Sequence, residues 1–440
     1  MEKKELELYI HIPFCVKKCD YCDFLSFPAD NRTQRRYVDA LQKEITCYGA
    51  LYPDRKITTI FIGGGTPSWL DEEEIVRILH TVREAFEVER DAEITIECNP
   101  GTATAHKLVR YREAGINRIS IGLQSAHNEE LALLGRIHTW EQFLKTYDLA
   151  RKAGFSNINV DLMSALPGQT LETFSDTLKK VLALKPEHLS AYSLIIEEET
   201  PFYERYREDE KHREAGEPTE LLPDEEQEYA VTKLTQRVLR EAGYHWYEVS
   251  NFAKPGYECR HNIGYWKRAD YLGVGLGAAS LIDNVRYANV RDLEEYCKEC
   301  ESLWEEFTEL GGEKTDKVQM DSSKKNIQIE RIEMQQKEKY SGKEDRKRFA
   351  ESIRKTLCSS TEPVTREEQM EEFMFLGLRM TEGVSRAEFE QHFVTTIEAV
   401  YGDVLRQLQK EGLLVKQEGR ICLTERGMDV NNYVVEQFML

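Results

Sequence analysis

The sequence predicts an α/β fold, a partial, TIM-like (β/α)6 barrel followed by a mainly helical, winged-helix-like domain. Three observations carry this prediction. Through the first half of the chain, short apolar or β-branched runs alternate with stretches of helical periodicity, which implies a parallel sheet with helical crossovers. Five of the six runs are followed by polar or glycine-rich residues, at the strand ends where parallel α/β folds gather their chemistry. Near the C-terminus, three amphipathic stretches precede two short runs joined through Glu418-Gly419.

The six strand-like runs are Leu6–Ile12, Ile57–Ile62, Ala92–Cys98, Arg118–Gln124, Asn157–Met163 and His188–Leu194. Between them lie the helical stretches Thr33–Tyr48, Asp71–Phe86, Thr102–Ala114, Trp140–Ala153 and Leu171–Leu184, with Gly115, Gly154 and Pro186 at helix ends. With the acidic segment that ends in a helix over Asp224–Ala242, they make up a core of residues 1–243. Residues 244–310 read as an extension. Its glycine-rich run, Leu272–Ala279, has no βαβ unit behind it and is expected to serve close backbone packing. Residues 311–362 change character. From Gly311 to Lys355 there are 13 basic and 9 acidic residues with few large apolar ones, and a disordered, solvated insertion is expected. Order returns over 363–440, with helices expected at Glu367–Met380, Ser385–His392 and Ile397–Glu411. A hairpin is expected from Leu413–Lys416 and Arg420–Thr424.

Composition narrows the function classes. The 440 residues carry a net charge of −20, which speaks against nucleic-acid binding through a basic surface. No apolar run approaches the roughly 20 residues that span a bilayer. The opening Met1–Glu5 runs into a strand rather than a signal peptide, and ten scattered cysteines without an export signal suit a reducing compartment. A cytoplasmic protein is expected.

The chemistry starts at His11–Phe24, where Cys15, Cys19 and Cys22 stand in C-x3-C-x2-C spacing. Three thiolates on one loop suit an iron–sulfur cluster with one iron left open. A zinc site completed by His11 or a distant ligand is the alternative on spacing alone. The other strand ends favour the cluster: Gly63-Gly64-Gly65-Thr66-Pro67, Glu97-Cys98-Asn99-Pro100, Gln124-Ser125, and Asp161 with Leu166-Pro167-Gly168-Gln169-Thr170. A [4Fe–4S] cluster on the three cysteines would let S-adenosylmethionine chelate the open iron, so that one electron into the sulfonium breaks its bond to the ribosyl C5′. Gly63, Gly64 and Gly65 would permit close backbone approach, with Thr66 as a donor. Glu97, Gln124 and Asp161 are candidates for the ribose hydroxyls and ammonium, and Arg136 for the carboxylate.

On Tyr9–Cys15, Gly63–Pro67, Ile121–Ser125 and Asp161–Thr170, the sequence resembles the radical S-adenosylmethionine superfamily. Within it the likeness is to the oxygen-independent coproporphyrinogen III oxidase-like group. The resemblance covers Tyr9 to about Asn289 and Thr365 to the C-terminus. It implies that Cys15, Cys19 and Cys22 hold the cluster. It also implies that Tyr9, Tyr21, Gly64, Gly65, Thr66, Glu97, Gln124, Arg136 and Asp161 contact S-adenosylmethionine, Tyr9 and Tyr21 resting on the resemblance alone. The group holds a porphyrin dehydrogenase and heme chaperones, and three features favour a chaperone. The dehydrogenase's further cysteine is here Phe24, its N-terminal arm has no counterpart, and His261-Asn262-Ile263-Gly264-Tyr265-Trp266 matches the chaperones' H-N-x-x-Y-W motif. The resemblance thus implies heme as ligand, heme-accepting proteins as partners, an electron donor such as flavodoxin or ferredoxin, and compatibility with a homodimer. The alternatives are oxidative decarboxylation of coproporphyrinogen III and anaerobic heme breakdown. His261 is a candidate heme contact, with Cys259 as a rival ligand and a hydrogen-bonded structural histidine as the bland reading. Cys297 and Cys300, one helical turn apart, are expected to be incidental.

Overall fold

The computed structural model describes residues 3–309 and 343–440. Its centre is a 12-stranded sheet. Six parallel strands form the middle in sequence order: β1 (Lys4–Ile12), β2 (Arg55–Gly64), β3 (Glu87–Cys98), β4 (Arg118–Gln124), β5 (Ile158–Ser164) and β6 (His188–Ser193). These are the six expected runs, shifted by a few residues at some ends. The intervening helices begin at side-chain caps. Thr139 with Gln142, and Asp224 with Gln227, form reciprocal capping boxes, each satisfying amides that a helix start leaves unpaired.

Strand alternation sorts the residues into two faces. Leu8, Ile10 and Ile12 on β1, Ile119 and Ile121 on β4, and Ile158 and Val160 on β5 are buried against the helices in the main core. The intervening residues face the concave side and are largely polar: Glu7 and His11, Thr59, Glu93 and Glu97, Arg118 and Ser120, Asn159 and Asp161, His188 and Ser190. The interior is therefore a polar chamber with an apolar jacket.

The expected extension is not a separate layer. β7 (His245–Glu248) and β8 (Asn251–Ala253) add antiparallel beyond β6, while β9 (Tyr271–Val274) joins β1 in parallel and leads to β10 (Ala279–Ile282) and β11 (Val285–Asn289). The glycine-rich run does serve close packing: a Cβ on Gly273 would lie 2.2 Å from the Ala279 carbonyl oxygen.

The charged stretch departs from expectation where it is described. Residues 310–342 lie outside the described residues. Lys343–Leu357 form a helix, and β12 (Cys358–Pro363) pairs with β11 at the sheet edge. The reason is a stripe at helical spacing, Phe349, Ile353 and Leu357, fully buried beside the helix Leu293–Glu309. Solvent-facing charges between these three dominate the composition and hide the stripe. Cys297 and Cys300 are buried on that neighbouring helix.

The C-terminal domain has the expected helices, Arg366–Gly377, Arg386–Phe393 and Ile397–Lys410, and its own core. The hairpin Leu414–Gln417 and Arg420–Leu423 gains a third, two-residue strand, Val384–Ser385. Glu372 ties the domain to the sheet. Its nearly buried carboxylate takes Arg268 Nε at 2.6 Å and Arg286 Nη2 at 2.8 Å.

Candidate cofactor site

At the carboxyl ends of β1–β5 the structure brings most of the expected residues onto one rim. The cysteine loop leaves β1 and is pinned at its base, where Cys15 N–H donates to the Phe27 carbonyl and Phe27 N–H to that of Pro13. The glycine loop after β2 is stitched to it: Gly65 N–H donates to Ile12 O and Thr66 N–H to Phe14 O, both at 2.8 Å. Gly64 N–H donates to Glu97 Oε2 at 3.0 Å. All three amides are thus engaged within the protein. The expectation that this backbone greets a zwitterion shifts to the side chains around it.

Those side chains form a connected set. Cys15 Sγ lies 3.4 Å from Thr66 Oγ1, which accepts from Asn99 Nδ2 at 2.7 Å. Asn99 Oδ1 in turn accepts from Arg136 Nη2 at 2.7 Å, and Arg136 Nη1 lies 3.6 Å from Cys19 Sγ. Arg136 also donates to the Gly122 carbonyl at 2.6 Å. Two of the three cysteines are therefore joined through Thr66, Asn99 and Arg136. Tyr21 packs edge-on to Phe202, its phenol pushed up by burial and drawn back by Arg136. Gly122 is where the set converges. A Cβ there would lie 3.1–3.2 Å from Asn99 Oδ1, Arg136 Nη2 and Gln124 Nε2 together. Gln124 has φ 72° after a bulge in β4, a left-handed conformation unusual for a non-glycine residue and concentrated at functional sites.

Two carboxyl groups complete the rim. Burial, and then the neighbouring Asp161, push Glu97 up to about 7. Asp161 is raised by burial, against hydrogen bonds from Ser120 Oγ at 2.9 Å and Asn159 Nδ2 at 2.7 Å. Tyr9 reaches the rim indirectly, its hydroxyl 3.0 Å from His11 Nδ1. His11 Nε2 donates to the Leu25 carbonyl, so Nδ1 accepts from Tyr9.

His261 is elsewhere. The helix Arg260–Trp266 closes the opposite end of the barrel, against Glu7 of β1, Thr59 and Phe61 of β2 and Glu93 of β3. There His261 is 1% exposed. Its Nδ1 meets Thr59 Oγ1 at 2.7 Å, its Nε2 meets Tyr265 Oη at 3.1 Å, and its ring stacks on Phe61. Burial and the Arg118 charge lower it to about 3. Cys259, also fully buried, donates to Glu93 and is pushed up to about 12, chiefly by burial. The residue expected to touch heme thus lies packed inside the barrel floor in this structure. Both ring nitrogens are occupied inside the barrel floor, and neither His261 nor Cys259 faces an open surface.

Sequence reasoning gave no role to Asn99, which bridges Thr66 and Arg136, and missed the interior residues Ser120, Asn159 and His188. The signal was present as alternation. Polar Arg118, Ser120 and Gln124 interleave with Ile119, Ile121 and Leu123, a pattern that puts polar groups on one face of a strand.

The donor set fits the groups that the sequence implies. One guanidinium, two carboxyls and a carboxamide surround a cradle beside three thiols. Among the described residues no three His, Cys, Asp or Glu side chains close on a single ion, while the thiolates of a cluster each take a separate iron.

Comparison with known proteins gives the class. Residues 9–181 match the model of the radical SAM superfamily, and residues 364–430 that of the HemN C-terminal domain. The fold resembles the solved coproporphyrinogen III oxidase HemN of Escherichia coli, with TM-score 0.75 and 24% identity over 100% of this chain and 90% of that one. This is a radical SAM protein, of the superfamily that carries a [4Fe–4S] cluster and S-adenosylmethionine. The heme chaperone HemW of Bacillus subtilis is 33% identical over 98% of both chains, and that of Lactococcus lactis 32% identical over 100% of this chain and 99% of the relative. The Escherichia coli HemW is 42% identical over 62% of this chain and 69% of its own. The chain belongs to the HemW heme-chaperone family.

Proposed function

We propose that this protein binds heme and delivers it to acceptor proteins, as a cytoplasmic member of its family. The observation that carries the reading is the extent of the relationship, which runs through barrel, sheet extension and C-terminal domain alike. No helix among the described residues is long and apolar enough to cross a membrane, which suits such a role. In this reading Cys15, Cys19 and Cys22 hold the cluster. Arg136 orients the S-adenosylmethionine carboxylate, Glu97 and Asp161 take the ammonium and ribose hydroxyls, Gln124 hydrogen-bonds from the bulge, and Tyr9, Tyr21, Gly64, Gly65 and Thr66 wall the site. When bound, the cluster supplies one-electron reducing power next to a sulfonium. An electron donor of flavodoxin or ferredoxin type would meet the cysteine loop, where Phe24 is 69% exposed. Self-association into a homodimer is part of the same reading.

The test is anaerobic titration of the cluster-reconstituted chain with heme, followed by mixing with an apo-hemoprotein. A stoichiometric heme complex that loads the acceptor is expected. Protoporphyrinogen formed from coproporphyrinogen III would overturn the chaperone reading in favour of the dehydrogenase. Loss of heme with release of ring-opened tetrapyrrole would overturn it in favour of heme breakdown.

A further inference from the structure

A directed hydrogen-bond chain crosses the barrel interior from Cys259, at the start of the helix that carries the H-N-x-x-Y-W residues, to the rim. Cys259 N–H donates to Tyr247 Oη at 3.3 Å, and Tyr247 Oη lies 2.8 Å from His188 Nε2. His188 Nδ1 lies 2.6 Å from Asn159 Oδ1, which also accepts from Ser190 Oγ at 3.2 Å. Asn159 Nδ2 donates to Ser120 Oγ at 2.8 Å and to Asp161 Oδ1 at 2.7 Å. The register makes this possible, because Ser120, Asn159 and His188 are consecutive neighbours across β4, β5 and β6. His188 and Cys259 are fully buried, and Asn159, Ser190, Tyr247 and Ser120 nearly so.

The direction of every bond follows from one charge. An ionised Asp161 only accepts, so Asn159 must turn its NH2 towards it and its carbonyl towards His188. That carbonyl also only accepts, so His188 carries its proton on Nδ1. Nε2 is then an acceptor, and Tyr247 donates to it while receiving the Cys259 amide. Each group in the row is satisfied in this arrangement. In the reverse tautomer of His188, the Asn159 carbonyl would face the carboxylate of Asp161.

We infer that His188 is a positioning residue that, through Asn159, keeps Asp161 ionised and aimed at the barrel mouth for the ammonium or ribose of S-adenosylmethionine. This rests on the reading of Asp161 as a contact of that molecule. Burial and Arg118 hold His188 neutral, so it acts through its tautomer and not through charge. The other titratable groups facing Asp161 are Glu97 on β3, Arg118 on β4 and Tyr192 on β6. Burial works against ionisation of Asp161, which is why the donors Ser120 and Asn159 matter.

The experiment measures S-adenosylmethionine binding by anaerobic equilibrium dialysis from pH 5.5 to 8.5, on full-length, cluster-reconstituted protein. The S-adenosylmethionine-dependent change in the EPR spectrum of the reduced cluster is recorded in parallel. His188→Leu is expected to weaken binding about tenfold at neutral pH, the upper end of what one neutral buried hydrogen bond contributes. It should also move the acid limit of binding upward, because Asp161 then protonates more readily. His188→Gln, which can donate to Asn159 and accept from Tyr247, should recover most of both effects. Equal losses in the Leu and Gln variants would reduce His188 to packing and overturn the inference. So would wild-type affinity and acid limit in His188→Leu while Asp161→Asn loses binding. If Asp161→Asn itself binds normally, the contact reading fails and the inference with it. Should His188→Leu not fold, Tyr247→Phe removes a single hydroxyl and must show the same upward shift in smaller measure. An unmoved acid limit there overturns the proposal as well.

Discussion

The two ends of the barrel are built from the same strands, yet they differ in backbone conformation and in exposure. At the floor, the ring nitrogens of His261 and the thiol of Cys259 all find partners inside the protein. At the rim, Gln124 sits in a left-handed conformation, Phe24 stands out to solvent, and Arg136 reaches the cysteine loop while donating to Asn99 and the Gly122 carbonyl. Satisfied, buried polar networks give a unique, rigid structure. Residues held in sparsely populated backbone conformations, as Gln124 is, cluster at ligand sites. His261 thus packs within the floor, while Asn99 bridges Thr66 and Arg136 on the rim.

The sharpest way to break this contrast is to remove a rim thiol. Cys19→Ala is expected to abolish stable cluster assembly, read as iron and acid-labile sulfide after anaerobic reconstitution, and to leave the thermal midpoint of the apo-protein unchanged. Cys19 is only partly buried and lies on the outer loop, so no core packing depends on it. A retained cluster, or a collapsed apo-protein, would erase the distinction between the two ends.

A gentler probe uses one glycine from each end. On the floor, a Cβ at Gly264 would lie 1.9 Å from Glu7 Oε1 and 2.2 Å from its Cδ. The buried Glu7 side chain must shift to admit it, so Gly264→Ala should cost about 1–3 kcal/mol as overpacking, seen as a lower urea midpoint. On the rim, Gly122→Ala meets only side-chain tips. It should leave the midpoint almost unchanged but weaken S-adenosylmethionine by about tenfold, as Arg136 and Gln124 are pushed from their places. The reverse pattern would mean that the ends have been assigned the wrong way round.

Much of this architecture is legible in the amino-acid sequence. The β-branched runs mark β1–β6 because a buried parallel strand must be apolar towards its helices, and C-x3-C-x2-C marks the rim because three thiolates on one loop have few other uses. The winged-helix-like domain follows from periodicity alone. What stays hidden depends on pairings distant in sequence. Nothing near Tyr271 says that it will lie against Glu7 of β1, and nothing local to His261 says which end of the barrel its helix closes. The Phe349, Ile353 and Leu357 stripe is masked by the charges beside it. The interior row through Ser120, Asn159 and His188 is visible strand by strand as alternation. Only the register shows that these three residues touch.

The finest discrimination between the two ends is in their carboxyl groups. Burial, with Glu93 adding to it, raises Glu7 on the floor to about 9, and burial with Asp161 raises Glu97 on the rim to about 7. Both start from 4.5 in the unfolded chain. Above that pH the unfolded state has released a proton that the folded state retains, so each group costs stability as pH rises, up to its folded value and no further. The cost accrues at no more than about 1.4 kcal/mol per pH unit. Replacement by glutamine removes it. Between pH 5 and 7, Glu7→Gln and Glu97→Gln should both gain stability relative to the parent. Between pH 7 and 9, Glu7→Gln should go on gaining while the advantage of Glu97→Gln levels off. Urea midpoints at the three pH values decide the matter. A Glu7→Gln curve that is flat above pH 7 would mean that Glu7 is ionised and paired at neutral pH. The floor would then hold a second buried carboxylate charge beside Glu93, and its difference from the rim would be one of access rather than of charge state.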